Sequence, residues 1–280
     1  MMPFAALRMR RAGATIPYLD LISVAPKSVL SLRKQISTAT VSIRVRRSSD
    51  NAEQDIGFVG GNLDTASLAT FVGSNSAYVT TFYDQTGGGF NAVQATAANQ
   101  PRIVNAGTID GSLIFDGAND ALRITSLTLG TPQFQVYTKA LIPSAVNGSI
   151  FIEASASWDS GQAAVVYGST SVIWVGSSNA PTTNNRTQNF PRPTVMSQMT
   201  WLFDRSIVGQ YEEVMYTNGV FQAATSSGAT EQTGNYSTNN INIGARNNGA
   251  SFPLAANIET LVFYNADTSG VRTSIEALVA

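Results

Sequence analysis

From residue 102 to residue 264 the chain is a succession of short β-branched and aromatic segments separated by turn residues. None of the gaps between them carries the 3.6-residue apolar period of a crossover helix. The first group spans residues 103–104, 112–115, 121–124, 134–141, 149–154, 163–167 and 171–175; the second spans 199–204, 211–217, 220–224, 241–243 and 258–264. Strands joined without helices pair as antiparallel neighbours, so the pattern predicts an all-β, two-sheet antiparallel sandwich rather than a βαβ fold. Asn218-Gly219 marks one hairpin, because that pair suits the type I′ turn.

Ahead of this region, V-T-T-F-Y-D-Q-T-G-G-G-F-N (residues 79–91) reads as a strand that ends in a glycine loop. Asp84 is placed to brace that loop through backbone N–H groups. Residues 41–47 alternate: Val41, Ile43 and Val45 face one way and Ser42, Arg44 and Arg46 the other, which marks a strand with a solvated face. Residues 18–24 and 56–59 read as strands and residues 26–35 as a short helical turn. Residues 64–71 read as a helix capped by Asp64 or Thr65. A terminal amphipathic helix with Val271, Ile275 and Leu278 on one face is capped by Asp267, Thr268 or Ser269. Residues 1–18, broken by Pro3, Gly13 and Pro17, form an arm with Arg8, Arg10 and Arg11 as docking residues; residues 19–280 form the sandwich domain.

Charged residues are only 12% of the chain and the net charge is -1, which argues against nucleic acid as a partner. The polar, weakly charged composition suits extracellular binding modules and virion proteins better than a cytosolic enzyme. There is no cysteine and no histidine, which removes disulfides, thiolate chemistry, the Ser-His-Asp arrangement and the usual zinc ligand. Any catalysis must rest on carboxylates. No apolar run approaches the roughly 18 residues that a membrane span requires, so no membrane insertion is expected. The first residues lack the order of charge and apolar run that marks a secretory signal. No cofactor and no metal are expected.

Three segments in order, I-R-V-R-R-S-S-D-N-A-E-Q-D-I-G-F (43–58), Y-D-Q-T-G with Asn91, and F-D-G-A-N-D-A-L (115–122), carry a family resemblance. Together they resemble the catalytic domain of the arabinofuranosidase B family, glycoside hydrolase family 54, and more closely its noncatalytic relatives in phage tail and virion proteins. The third segment resembles one common in concanavalin A-like jelly rolls, and the resemblance spans about residues 30–280. It implies a two-sheet jelly roll. It also implies a nucleophilic glutamate after a segment like residues 167–174, yet residues 160–203 contain no Asp or Glu. The family's acid/base aspartate lies in a segment matched here by Gly244-Ala245-Arg246-Asn247-Asn248, which has no carboxylate, and the family's vicinal cysteines are absent.

The expectation is therefore a noncatalytic structural protein of a bacteriophage particle, a tail, fibre or capsid-surface component located in the virion. Other virion proteins, sister copies and a host-surface glycan are its expected partners. The alternative is a glycoside hydrolase of arabinofuranosidase type with relocated carboxylates. Trp174, Trp158, Asn184 and Asn185 are the carbohydrate-binding candidates, since aromatic faces stack on sugars and amides read hydroxyls. Asp116 and Asp120 either cap a turn or bind Ca²⁺. Glu212 and Glu213, adjacent on a predicted strand, point to opposite faces and form no pair.

Overall fold

Every strand ladder is antiparallel. The computed structural model describes residues 18–142, 149–155, 163–168, 172–178, 185–207, 212–227 and 232–280. The expected docking residues Arg8, Arg10 and Arg11 lie outside them. The strands in the first half are β1 (Ser28–Ser31), β2 (Val41–Arg47), β3 (Glu53–Val59), β4 (Asn62–Leu63), β5 (Ala77–Phe82), β6 (Ala92–Val93), β7 (Arg102–Asn105), β8 (Thr108–Asp116) and β9 (Leu122–Thr128). Those in the second half are β10 (Gln133–Leu141), β11 (Ser149–Ala154), β12 (Ala163–Gly168), β13 (Val172–Ser178), β14 (Asn185–Pro191), β15 (Ser197–Asp204), β16 (Glu213–Thr217), β17 (Val220–Gln222), β18 (Ser226–Ser227), β19 (Thr238–Ile243) and β20 (Ala255–Tyr264). The helices are α1 (Thr65–Val72) and α2 (Arg272–Val279).

One layer runs β4–β3–β2–β5–β7–β8–β20–β10–β15–β16–β17, with β1 beside the second half of β20. The other runs β6–β9–β19–β11–β12–β13–β14–β18. β5 also pairs with β6, so the ladder folds over there and the layers close as an antiparallel β-sandwich. Phe151 of β11 meets Trp201 of β15 at 5.5 Å between ring centroids, and Phe134 of β10 lies 5.8 Å from Phe203 and 6.1 Å from Phe263. Burying each such side chain contributes about 1.5–3 kcal/mol.

A second apolar cluster lies on the outer side of β10 and β20. There Tyr137, Val262 and Tyr264 are covered by Leu19, Ile22 and the Ile275 and Val279 stripe of α2. The terminal helix is thus where the sequence places it, but its entry differs. Asp267 Oδ1 accepts the Ser269 N–H (2.8 Å) and shapes a 3-10 turn, while the N-cap residue Val271 makes no side-chain bond. For α1, Asp64 Oδ1 accepts the Ser67 N–H (3.0 Å).

Two early segments differ from expectation. Residues 18–24 hold a 3-10 turn at Leu19–Leu21, pinned by the Leu19 N–H donating to Gln35 O (2.7 Å) and the Ser37 N–H donating to Asp20 Oδ1 (3.0 Å). Residues 28–31 are a strand, not a helical turn. Val29 belongs to the outer cluster and Leu30 to the inner one, so β1 is buried on both faces and shows no alternation. Residues 179–193, rich in Asn, Thr and Pro, read as irregular from sequence, but Asn185–Pro191 form strand β14.

Candidate functional site

The glycine loop after β5 is scaffold. Asp84 accepts the N–H groups of Val29 (3.0 Å), Thr86 (3.1 Å) and Phe90 (3.2 Å) and the Thr86 hydroxyl (2.8 Å), while its own N–H donates to Asn91 Oδ1 (2.8 Å). Gln85 Oε1 accepts the Gln35 N–H (2.8 Å), and its amide donates to Ser31 O and Arg33 O (2.9 Å each). Both side chains are spent on backbone groups. Of the motif's polar side chains, Tyr83 faces outward: its hydroxyl donates to Asp55 Oδ1 (2.9 Å), which also pairs with Arg44 (2.9 Å).

A groove of about 480 Å³ opens on the outer face of β2, β5, β7 and β8. Strand register builds its floor: Arg46 lies opposite Tyr78, Tyr78 opposite Arg102, and Arg102 opposite Ile114. Arg46 sits 5.2 Å from the Tyr78 ring centroid and donates to Gln100 Oε1 (2.7 Å), while Arg102 pairs with Asp110 (2.9 Å). Asp116 and Asp120 close one side of the groove.

These two carboxyl groups belong to one turn. Asp116 Oδ1 accepts the N–H groups of Ala118 (2.8 Å) and Asn119 (3.3 Å), and Asp120 Oδ2 accepts the Asp116 N–H (2.9 Å). Asp120 is only 6% exposed. Its burial, helped by the nearby charge of Asp116 and opposed by the Asp116 N–H bond and by Arg102, pushes its pKa up to about 7. Asp120 is therefore a proton donor near neutrality beside a second, exposed carboxyl group. No group of three or more His, Cys, Asp or Glu side chains is placed to hold a metal ion among the described residues.

Glycines hold the turn against the loop after β19. Gly244 and Gly249 have φ of +82° and +100°. A Cβ at Gly249 would lie 2.1 Å from Asn119 O and 2.6 Å from Asn99 Nδ2; one at Gly244 would lie 2.3 Å from the Phe115 ring and 3.1 Å from Asp120 O. Gly244, the first residue of the segment 244–248 that matches the family's acid/base segment, thus lies against the Asp120 backbone. The same loop carries Arg246, whose Nε and Nη2 meet Glu153 Oε2 (2.8 Å) and Oε1 (2.5 Å). Glu153 on β11 is wholly buried, and Arg246 also lies 4.8 Å from the Phe252 ring centroid. The sequence reading missed Glu153; the signal was a lone carboxylate in the apolar strand S-I-F-I-E-A, which demands a buried partner.

Trp158 and Asn184 lie outside the described residues, as do the side chains of Trp174 and Asn185. Trp174 occupies a β13 position paired with Tyr167 and Asn189, and Asn185 begins β14 opposite Ser178. Glu212 and Glu213 are both buried but serve different partners: Glu212 Oε2 accepts the Gln232 N–H (3.0 Å) and Glu213 Oε2 accepts from Gln188 Nε2 (3.4 Å).

No family model and no curated protein matches the sequence. Solved structures do match the fold. A glycoside hydrolase family 54 α-L-arabinofuranosidase soaked with 4-nitrophenyl α-L-arabinofuranoside superposes with a TM-score of 0.58 at 14% identity, over 91% of this chain and 63% of that one. An arabinofuranosidase complexed with arabinofuranosyl-α-1,2-xylobiose gives 0.59 at 14% identity, over 91% and 62%. The chain shares its fold with arabinofuranosidases. It spans about 63% of the length of the first of them. The expectation of a noncatalytic phage-particle component is overturned on this point: the fold matches are to glycoside hydrolases and nothing found points to a particle. The expectation that the chain is not an enzyme falls with it.

Proposed function

We propose that the chain is a glycoside hydrolase of arabinofuranosidase type acting on polysaccharide, with Asp120 as general acid and Asp116 as the second carboxylate. The observation that carries this reading is Asp120 itself, a buried carboxyl group with a pKa of about 7 on the wall of a groove that an exposed carboxyl group shares. Glycoside hydrolysis needs such a pair: one protonated group to give its proton to the leaving oxygen, and one carboxylate to attack the anomeric carbon or to activate the water that does. Water's hydroxyl ends on the anomeric carbon and the proton on the departing alcohol.

The matched acid/base segment, Gly244 to Asn248, lacks a carboxylate, and Asp120 lies against it. The acid is therefore relocated to the neighbouring loop. Arg46, Tyr78 and Arg102 supply the floor on which a sugar rests.

The test is release of sugar from 4-nitrophenyl glycosides and from arabinose-containing polysaccharide. Wild type turns over at least one of them, and Asp120→Asn and Asp116→Asn each lose about 100-fold or more. A folded wild type with no turnover on the panel would overturn the reading.

A further inference from the structure

A second pocket, of about 340 Å³, lies on the same outer face as the groove, and its walls include Tyr83, Asp55, Thr38, Thr40 and Thr86. We infer that this pocket is a distal subsite for a polymeric, uncharged glycan whose scissile unit lies in the Asp116–Asp120 groove. The inference rests on the hydrolase reading above and names its substrate class.

Strand geometry places both sites on one track. Arg44 and Arg46 alternate onto the outer face of β2, opposite Asp55 and Glu53 of β3. The groove is at the Arg46 end and the second pocket reaches Val41. Five residues of extended chain separate them, about 16 Å, which leaves room for several linked sugar rings. An aryl glycoside bound in the groove does not reach Tyr83.

The pocket is built for a hydroxylated, neutral ligand. Tyr83 presents a half-buried ring whose hydroxyl is tethered to Asp55, and Asp55 is in turn paired with Arg44. The ring is thus held before any ligand arrives, which limits the ordering cost of binding. Thr38 and Thr40 line the walls around it. Gly57 makes the wall close: a Cβ there would lie 2.4 Å from Thr40 O. Along the track Arg44 pairs with Asp55 and Arg102 with Asp110, so no uncompensated block of charge selects an ionic polymer.

The experiment compares wild type with Tyr83→Ala and Asp55→Ala on soluble arabinose-containing polysaccharide and on 4-nitrophenyl α-L-arabinofuranoside. Both variants are expected to raise KM on the polymer about five- to tenfold, a difference of about 1.0–1.4 kcal/mol, with little change on the aryl glycoside. The second variant keeps the test decisive if the first fails to fold. Retention of Asp120→Asn on the same polysaccharide immobilised on a matrix, lost when Tyr83→Ala is added, gives a readout that needs no turnover. Polymer KM and retention unchanged in both variants overturn the subsite while leaving the hydrolase reading intact. A folded wild type that hydrolyses neither substrate overturns the hydrolase reading instead.

Discussion

Asp120 accepts the backbone N–H of Asp116 at 2.9 Å, so one carboxyl group is fixed by the main chain of the residue that carries the other. The five-residue turn Asp116–Asp120 thereby holds two acids at the edge of a groove, one buried and one exposed. The environment, not the residue type, makes them chemically different.

That difference sets a pH dependence of stability. The folded state holds a proton on Asp120 up to about pH 7, whereas the unfolded chain releases it near the ordinary aspartate value of 3.8. Between these values the folded state binds more protons, so this group's contribution is full below pH 3.8 and is lost as pH rises towards 7. Asp120→Asn keeps an acceptor for the Asp116 N–H and cannot ionise. Thermal melts should show the variant close to wild type at pH 4 and more stable than wild type above pH 7. Equal melting temperatures at both pH values would show that Asp120 is not buried as described.

The Arg246–Glu153 pair should behave as a buried ion pair. Arg246→Met leaves the Glu153 carboxylate in an apolar site without its guanidinium, a change that costs about 3–5 kcal/mol. The urea midpoint measures it; a loss under about 1 kcal/mol would place the pair in the range of solvent-screened bridges.

Gly249 tests the contact between the two loops. Gly249→Ala places a methyl group on Asn119 O and strains a backbone at φ +100°, with a cost of about 1–3 kcal/mol. Because Asn119 lies in the Asp116–Asp120 turn, kcat should fall together with stability. Unchanged kcat in a destabilised variant would separate this loop from the chemistry.

Asp84 tests the scaffold role of the glycine loop. Asp84→Ala strands the buried N–H of Val29, which costs about 1–3 kcal/mol, and also frees the part-buried N–H of Phe90. Denaturant unfolding reports this loss, and KM on a small glycoside should not move. A changed KM with unchanged stability would make Asp84 a site residue.

The sequence made the fold legible where one strand face is wet. In β2, Ile43 and Val45 are fully buried while Arg44 and Arg46 stay outside, so the two-residue period survives over residues 43–46; it breaks at the register shift before Ile43, where Ser42, expected on the solvated face, is buried and Val41 is half-exposed. It failed at β1, where Val29 and Leu30 are both buried, one in each apolar cluster, and the alternation disappears. The site was half legible. Asp116 and Asp120 are recognisable as turn residues from their spacing, and they do form that turn. Their groove is not recognisable, because Arg46, Tyr78 and Arg102 reach it only through strand register. Phage-particle membership was inferred from motif likeness together with composition, the basic arm and the missing secretory pattern, and the motifs prove to be framework: Asp84, Gln85 and Gly244 serve the backbone that positions the loops.

If Asp120 gives the proton in glycoside cleavage, its titration appears in the pH profile of kcat/KM on a 4-nitrophenyl glycoside. Wild-type activity should fall as pH rises through about 7, as the acid loses its proton. In Asp120→Asn the rate should fall about 100-fold or more and that limb should be gone. An Asp120→Asn variant with the wild-type rate and the same alkaline limb would contradict the assignment.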